Sequence, residues 1–353
     1  MAKTREGGYR ITLVSLYFDS DKYSGANKRL ISILDELRQK DNIQLTVIVG
    51  KYKVSGELKK SMNSVLWLEW NYSGSILSRI IIFIRLFIYR VFHSNIIISD
   101  FFPPIPFFKN FYYLVHDIRI GTDLNRNTFK VIRAYLQSYL MRFAKNIITV
   151  SNSSKKDIIK ALGKKNDIYV IENGLSQIYY STCVNKEDRD INLLYVADSD
   201  IRKNHAYLNI LLSKIPVPLV VYLVGVNKTD IDFQVGRHKI VFKKNIPESQ
   251  LVNIYSRTQV YICPSELEGF NMPVLEALAM GCNVLCSNIR VHRELFGDQE
   301  NVEFLTGETK VDEELLLESM KRKNDYINID FVNKFSWKYK AEELIQIVAS
   351  SNH

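Results

Sequence analysis

The feature that most constrains the fold is an alternation, run through twice along the chain, of short apolar β-rich runs with stretches of helical periodicity. In the first series, apolar runs at 9–16, 43–49, 95–99, 111–115, 147–150 and 168–171 are interleaved with helical patterns at 27–39, 76–92, 128–144 and 155–162. Serines at 151, 153 and 154 supply a capped start for the last of these helices. A second series follows, with runs at 191–196, 219–225, 240–242, 259–263 and 284–287. Apolar strands separated by helices predict parallel sheets covered on both faces. The expected fold class is therefore α/β, with two doubly wound Rossmann-like domains facing across a cleft. A length of 353 residues suits two such domains. We place the first at 1–178, a polar linker at 179–190, the second domain at 191–335 and a terminal helical segment at 336–353. That segment carries Ala341, Leu344, Ile345 and Val348 at helical spacing, a pattern that could pack on either domain.

The net charge of +9 favours an anionic partner, whether nucleic acid, a membrane surface or a phosphorylated substrate. No nucleic-acid-binding module or aromatic-basic repeat is present, so nucleic acid is not an expected partner. Cys183, Cys263, Cys282 and Cys286 have no CxxC spacing, which points to a reducing cytoplasm and no zinc site. Residues 1–9 are polar and read as no signal peptide. The run 76–92 is nearly long enough for a membrane span, but Arg79, Arg85 and Arg90 argue against crossing.

The densest chemical signal is 264–287, PSELEGFNMPVLEALAMGCNVLCS, which joins a strand, a short loop, a helix and a second strand. Ligands of open α/β sheets bind beyond the carboxyl ends of the strands, and Glu266, Glu268, Gly269 and Phe270 fall there. A helix over 272–280 would point its free N–H groups and positive dipole end at the same place, as at phosphate sites. Pro273 suits the first helical turn and Gly281 its C-terminal stop. Read alone, the same pattern also describes an ordinary capped helix with two solvated acids.

The run EGFNMPVLEALAMG resembles the signature of glycosyltransferase family 4 (group 1), retaining enzymes of the two-domain GT-B class, with Glu268 and Glu276 eight positions apart. The resemblance implies that Glu268 and the backbone at Gly269, Phe270, Asn271 and Met272 hold the donor hexose, and that Glu276 binds the ribose of a nucleoside-diphosphate sugar. Asn271 stands where the family usually has glycine; it would also serve as an N-cap. Arg202-Lys203-Asn204 resembles the family's basic segment, which implies that Lys203, with Arg202, neutralises the donor diphosphate. Asp198 and Asp200 form a rival DxD pattern, but the same spacing recurs elsewhere in the chain, and no metal or cofactor is expected. His116-Asp117 follows an apolar strand and resembles the HD pair whose histidine contacts the transferred sugar. Gly25 matches a glycine-rich loop in outline. Asn173-Gly174, Glu294 and Phe335-Ser336-Trp337 fit later landmarks, and the resemblance implies that the last helix crosses back to the first domain.

The implied activity is transfer of a hexose from a nucleoside-diphosphate sugar (UDP or GDP) to a glycan or lipid-linked acceptor in surface polysaccharide or lipopolysaccharide assembly. The alternatives are a GT-B phosphorylase and a noncatalytic sugar-nucleotide-binding protein. Residues 76–93 carry a second expectation, peripheral contact with anionic membrane. Arg79, Arg90 and His93 cluster on the helical wheel, while Ile80, Phe83, Phe87 and Val91 form an apolar stripe. An ordinary domain helix would give the same pattern.

Overall fold

The first strand, Tyr9–Ser15 (β1), shows how the sequence builds its sheet. Successive side chains leave opposite faces, so Ile11 and Leu13 enter one apolar cluster while Val14 enters another. The computed structural model describes residues 8–21, 25–93, 95–101, 104–105, 108–116, 139–163, 167–185, 187, 189–225, 230–322 and 327–350. Among these, β1 is followed by Ile43–Gly50 (β2), Val65–Trp70 (β3), Ile96–Ser99 (β4), Phe111–Val115 (β5), Asn146–Thr149 (β6) and Asp167–Val170 (β7). They form a seven-stranded parallel sheet in the order β3-β2-β1-β4-β5-β6-β7. The order reverses between β1 and β4, which is where such a sheet opens a crevice.

The second sheet comprises Ile191–Val196 (β8), Val220–Val224 (β9), Ile231–Val235 (β10), His238–Lys243 (β11), Thr258–Cys263 (β12), Asn283–Ser287 (β13) and Val302–Leu305 (β14). Its order is β10-β11-β9-β8-β12-β13-β14, reversing between β8 and β12. All neighbours are parallel except β10, an exposed antiparallel edge joined to β11 by the two residues Gly236 and Arg237. Gly236 takes φ +57°, the left-handed conformation that a tight hairpin requires. β3, β10 and β14 have no counterpart among the sequence expectations; β10 is exposed throughout and so lacks the apolar run that betrays a central strand.

The chain divides into two units, Met1–Asn173 with Trp337–His353, and Gly174–Ser336. In the first, the helix Gly25–Leu37 (α1) covers one face of the sheet beside the last helix, Trp337–Ser350, through Ile33, Leu34, Leu37, Trp337, Ala341, Leu344 and Val348. Lys340 is buried in this helix and paired with Glu172 at 3.1 Å. The opposite face is covered by the helices Ile76–Phe92 and Asn152–Leu162. The latter is capped as the serines predict, with Ser151 accepting from the amide of Ser154. Most of the expected helix at 128–144 lies outside the described residues.

Residues 179–190, expected as a linker, belong to the second unit. Tyr179 is buried, Tyr180 Oη donates to the carbonyl of Val332 at 3.1 Å, and Arg189 donates to the carbonyls of Thr258 and Met280. Aromatic and guanidinium groups with partners of this kind fasten a segment that its polarity alone would leave free.

Candidate active site

At the carboxyl end of β8 the chain turns through Ala197–Asp200 into a 3-10 turn, Ile201–Lys203. Asp200 starts this turn by accepting from the amide of Arg202, and it also holds the Arg202 guanidinium at 3.2 Å. Asn204 ends the turn at φ +52° and its side chain accepts from Tyr207, opening the next helix. The loop after β12 is tied to this turn by the amide of Glu266, which donates to the carbonyl of Arg202 at 2.8 Å. Both loops therefore meet at the point where the strand order reverses.

There Lys203 Nζ lies 2.6 Å from Glu268 Oε1, with the two side chains only 18% and 11% exposed. Burial alone would lower the Lys203 pKa, but the charge and hydrogen bond of Glu268 raise it above the ordinary value. The ammonium is thus fixed as a cation, and its partner Glu268 lies on the loop that leads into the helix Met272–Ala279, which has Pro273 in its first turn and Gly281 at φ +65° just past its end. This helix is buried almost all round; Glu276 is 2% exposed and accepts from Tyr255 Oη at 3.1 Å. A fixed cation, a nearby carboxylate and a helix N-terminus can together bind a phosphate ester bearing hydroxyl groups.

Asn271 corrects one expectation. It occupies the N-cap position, but its side chain makes no capping hydrogen bond. The residue sits at φ +80°, and its Nδ2 turns inward to His292 Nε2 at 2.8 Å and Cys263 Sγ at 3.0 Å. His292 Nδ1 lies 2.8 Å from the carbonyl of Ser287 and so carries the proton, which leaves Nε2 to accept. Desolvation lowers the His292 pKa and keeps this fully buried ring neutral. Sequence reasoning missed His292, Tyr195 and Tyr255, because no spacing rule links residues that meet only through the turns after different strands. Tyr195 Oη donates to the carbonyl of Lys203. Burial pushes the Cys282 thiol up to about 12 and raises Cys263 as well.

Gly25 and His116 belong to the first unit. Gly25 begins α1, with Ser24 outside the described residues, as is Asp117 beside His116. His116 follows β5 and lines a pocket of about 560 Å³, open mouth included, with Ser15, Ala26, Arg29 and Asp100. Ser15 Oγ donates to Asp100 Oδ2 at 2.6 Å, and burial raises the Asp100 carboxyl to about 6. Burial likewise lowers Arg29 to about 10, where it donates to the side chain of Asn173. Arg202, Lys203, Glu268, Gly269, Phe270, Asn271, Met272 and Glu276 all belong to the second unit. No group of three or more His, Cys, Asp or Glu side chains is arranged to hold a metal among the described residues.

The helix Ile76–Phe92 is anchored by Ile82 and Leu86 and half-buries Phe83, whereas Ile76, Leu77, Ile80, Ile81, Ile84, Phe87, Ile88, Val91 and Phe92 are exposed. The apolar face is thus broader than the predicted stripe. Arg79, Arg85 and Arg90 lie over the rings of Tyr72, Trp70 and Phe108. No described helix is long and apolar enough to cross a membrane.

These features define a GT-B fold, and comparison with known structures gives the same class. Sucrose-phosphate synthase from Thermosynechococcus elongatus superposes with a TM-score of 0.74 at 14% identity, over 97% of this chain and 98% of that one. Anabaena HepE in complex with UDP and glucose gives 0.69 at 16% identity, over 96% and 99%. WaaG, a glycosyltransferase involved in lipopolysaccharide biosynthesis, gives 0.64 at 11% identity, over 95% of each chain. At such identities the likeness is one of fold.

Residues 184–322 match the family model described as glycosyl transferases group 1. The O-antigen chain mannosyltransferase RfbU of Salmonella typhimurium is 26% identical over 200 residues, covering 54% of this chain and 56% of that protein. An uncharacterized glycosyltransferase of Methanocaldococcus jannaschii is 27% identical over 212 residues, covering 53% and 54%. The chain spans about half the length of these curated relatives.

Proposed function

We propose that the protein is a retaining, metal-independent hexosyltransferase that uses a nucleoside-diphosphate sugar, UDP- or GDP-linked, and a glycan or lipid-linked acceptor. The observation that carries this reading is the partly buried Lys203–Glu268 pair at the strand-order reversal of the second sheet, with Glu268 on the loop that leads into the helix bearing Glu276. In this reading Lys203, assisted by Arg202, neutralises the diphosphate as it leaves. Glu268 and the backbone of Gly269–Met272 hold the hexose, and Glu276 holds the ribose. The bond from the anomeric carbon to the phosphate oxygen breaks while the acceptor oxygen attacks the same face, and the acceptor proton passes to that phosphate oxygen. No enzymic nucleophile is required. The family resemblance is the support for giving His116 a contact with the transferred sugar and Gly25 one with the donor phosphates. Relatives named as O-antigen chain mannosyltransferases support a hexose transfer in surface polysaccharide assembly at the cytoplasmic membrane face. The exposed apolar face of residues 76–93, with its arginines, would seat the protein on anionic lipid.

The test is a panel of UDP-, GDP- and dTDP-hexoses, with release of the nucleoside diphosphate measured as sugar is transferred to a glycan or lipid-linked acceptor. Transfer from one donor class with the anomeric configuration retained is the expected result. Release of a sugar phosphate that depends on inorganic phosphate, or no turnover with any donor, would overturn it.

A further inference from the structure

Asn271 has a conformation that its residue type disfavours. At φ +80° and ψ 72° its Cβ is crowded in a way that glycine would escape, so something must hold it there. The side chain, 7% exposed, meets two groups: the soft Sγ of Cys263, a weak acceptor, and the imidazole Nε2 of His292. His292 is itself fixed, because its other nitrogen donates to the carbonyl of Ser287 at the end of β13. The rings of Phe270 and Phe296 pack nearby, and Lys203 and Glu268 are the charged groups whose fields reach the imidazole. The chain thus has an anchor on β13 and its following helix for a strained residue on the loop after β12.

We infer that His292 is a positioning residue for the hexose half of the donor site: its neutral Nε2 accepts from Asn271 and holds the left-handed turn that aims the Gly269–Met272 backbone. The inference rests on the proposed donor site and adds a specific dependency to it. Without the acceptor, a buried amide N–H keeps only a thiol as partner, and Asn271 relaxes toward an ordinary backbone conformation. The amides that follow then turn away from the sugar. The nucleotide end, held by Lys203 and Glu276, stays as it was. A glycine at 271 adopts the turn unaided and uncouples it from position 292.

The experiment compares His292→Ala, His292→Gln, Asn271→Gly and the Asn271→Gly/His292→Ala pair in the full chain, using the donor that the wild type turns over and its nucleoside diphosphate as a binding probe. His292→Ala is expected to raise the donor KM about tenfold with a smaller change in kcat and no change in nucleoside-diphosphate affinity. His292→Gln, which keeps an acceptor, is expected to restore most of the loss. Against the Asn271→Gly reference rate, adding His292→Ala is expected to change the donor KM less than about twofold. Equal cost of His292→Ala in both backgrounds, or a parallel loss of nucleoside-diphosphate binding, would overturn the inference by making His292 a general support of the fold. Should His292→Ala fail to fold, His292→Phe runs the same cycle with the space filled and the acceptor removed. Absence of any donor turnover in the wild type sinks the donor-site reading itself, and the inference with it.

Discussion

At the residue scale, the two glutamates are proposed to have different tasks and so should give different signatures. Glu276 is buried against Tyr255, and its proposed ribose contact is made equally in ground and transition states. Glu276→Ala is therefore expected to raise the donor KM by about tenfold with little change in kcat, read from initial rates over a donor series. A fall in kcat alone would contradict the assignment. His292 makes a prediction about pH. Its folded pKa lies below the unfolded value, so its contribution to stability is complete above about pH 6.5 and is lost as pH falls below that value, where the unfolded chain takes up the proton first. Unfolding midpoints between pH 7 and 5 should decline less in His292→Gln than in the wild type, and identical slopes would reject this. Glu268 and Glu276 could be singled out in the sequence because they lie on one run of fixed spacing, and Lys203 because it lies in the separate segment Arg202-Lys203-Asn204. The Asn271–His292 contact could not, because it joins residues 21 positions apart through two separate turns.

At the element scale, caps and periodicity spoke plainly in the sequence: Ser151, Pro273 and Gly281 stand where the helices start and stop. The helix Ile76–Phe92 was legible as a helix but not in its orientation. Which apolar side chains it buries depends on the aromatic neighbours Trp70, Tyr72 and Phe108, which draw the arginines onto their rings. Three exposed isoleucines, Ile80, Ile84 and Ile88, follow one another at single-turn steps. Changing all three to serine should weaken binding to anionic vesicles at least about tenfold while sparing transfer to a soluble acceptor, with sedimentation as the readout. Arg79→Glu with Arg90→Glu should remove the salt-sensitive part of that binding. Vesicle binding unchanged in both variants would return this helix to an ordinary structural role.

At the scale of the whole molecule, the alternation of strands and helices was enough to give two doubly wound sheets, but not the ownership of the last helix. Its apolar side chains fit either unit by pattern, and only packing assigns Trp337, Ala341, Leu344 and Val348 to the first. Leu344→Ala should therefore lower stability by about 2–5 kcal/mol in denaturant titration, with the loss appearing in the transition of the first unit. Loss confined to the second unit would contradict this packing. The central claim is that the second unit holds the donor phosphates with protein cations instead of a metal. The most direct measurement is transfer by the wild type, Lys203→Ala and Glu268→Gln, each with and without EDTA, with thermal unfolding as the control for folding. The account predicts wild-type transfer unaffected by EDTA and a loss of at least about 100-fold in each variant at unchanged fold. Near-normal turnover in both variants, or abolition of wild-type transfer by EDTA with rescue by Mn²⁺ or Mg²⁺, would contradict it.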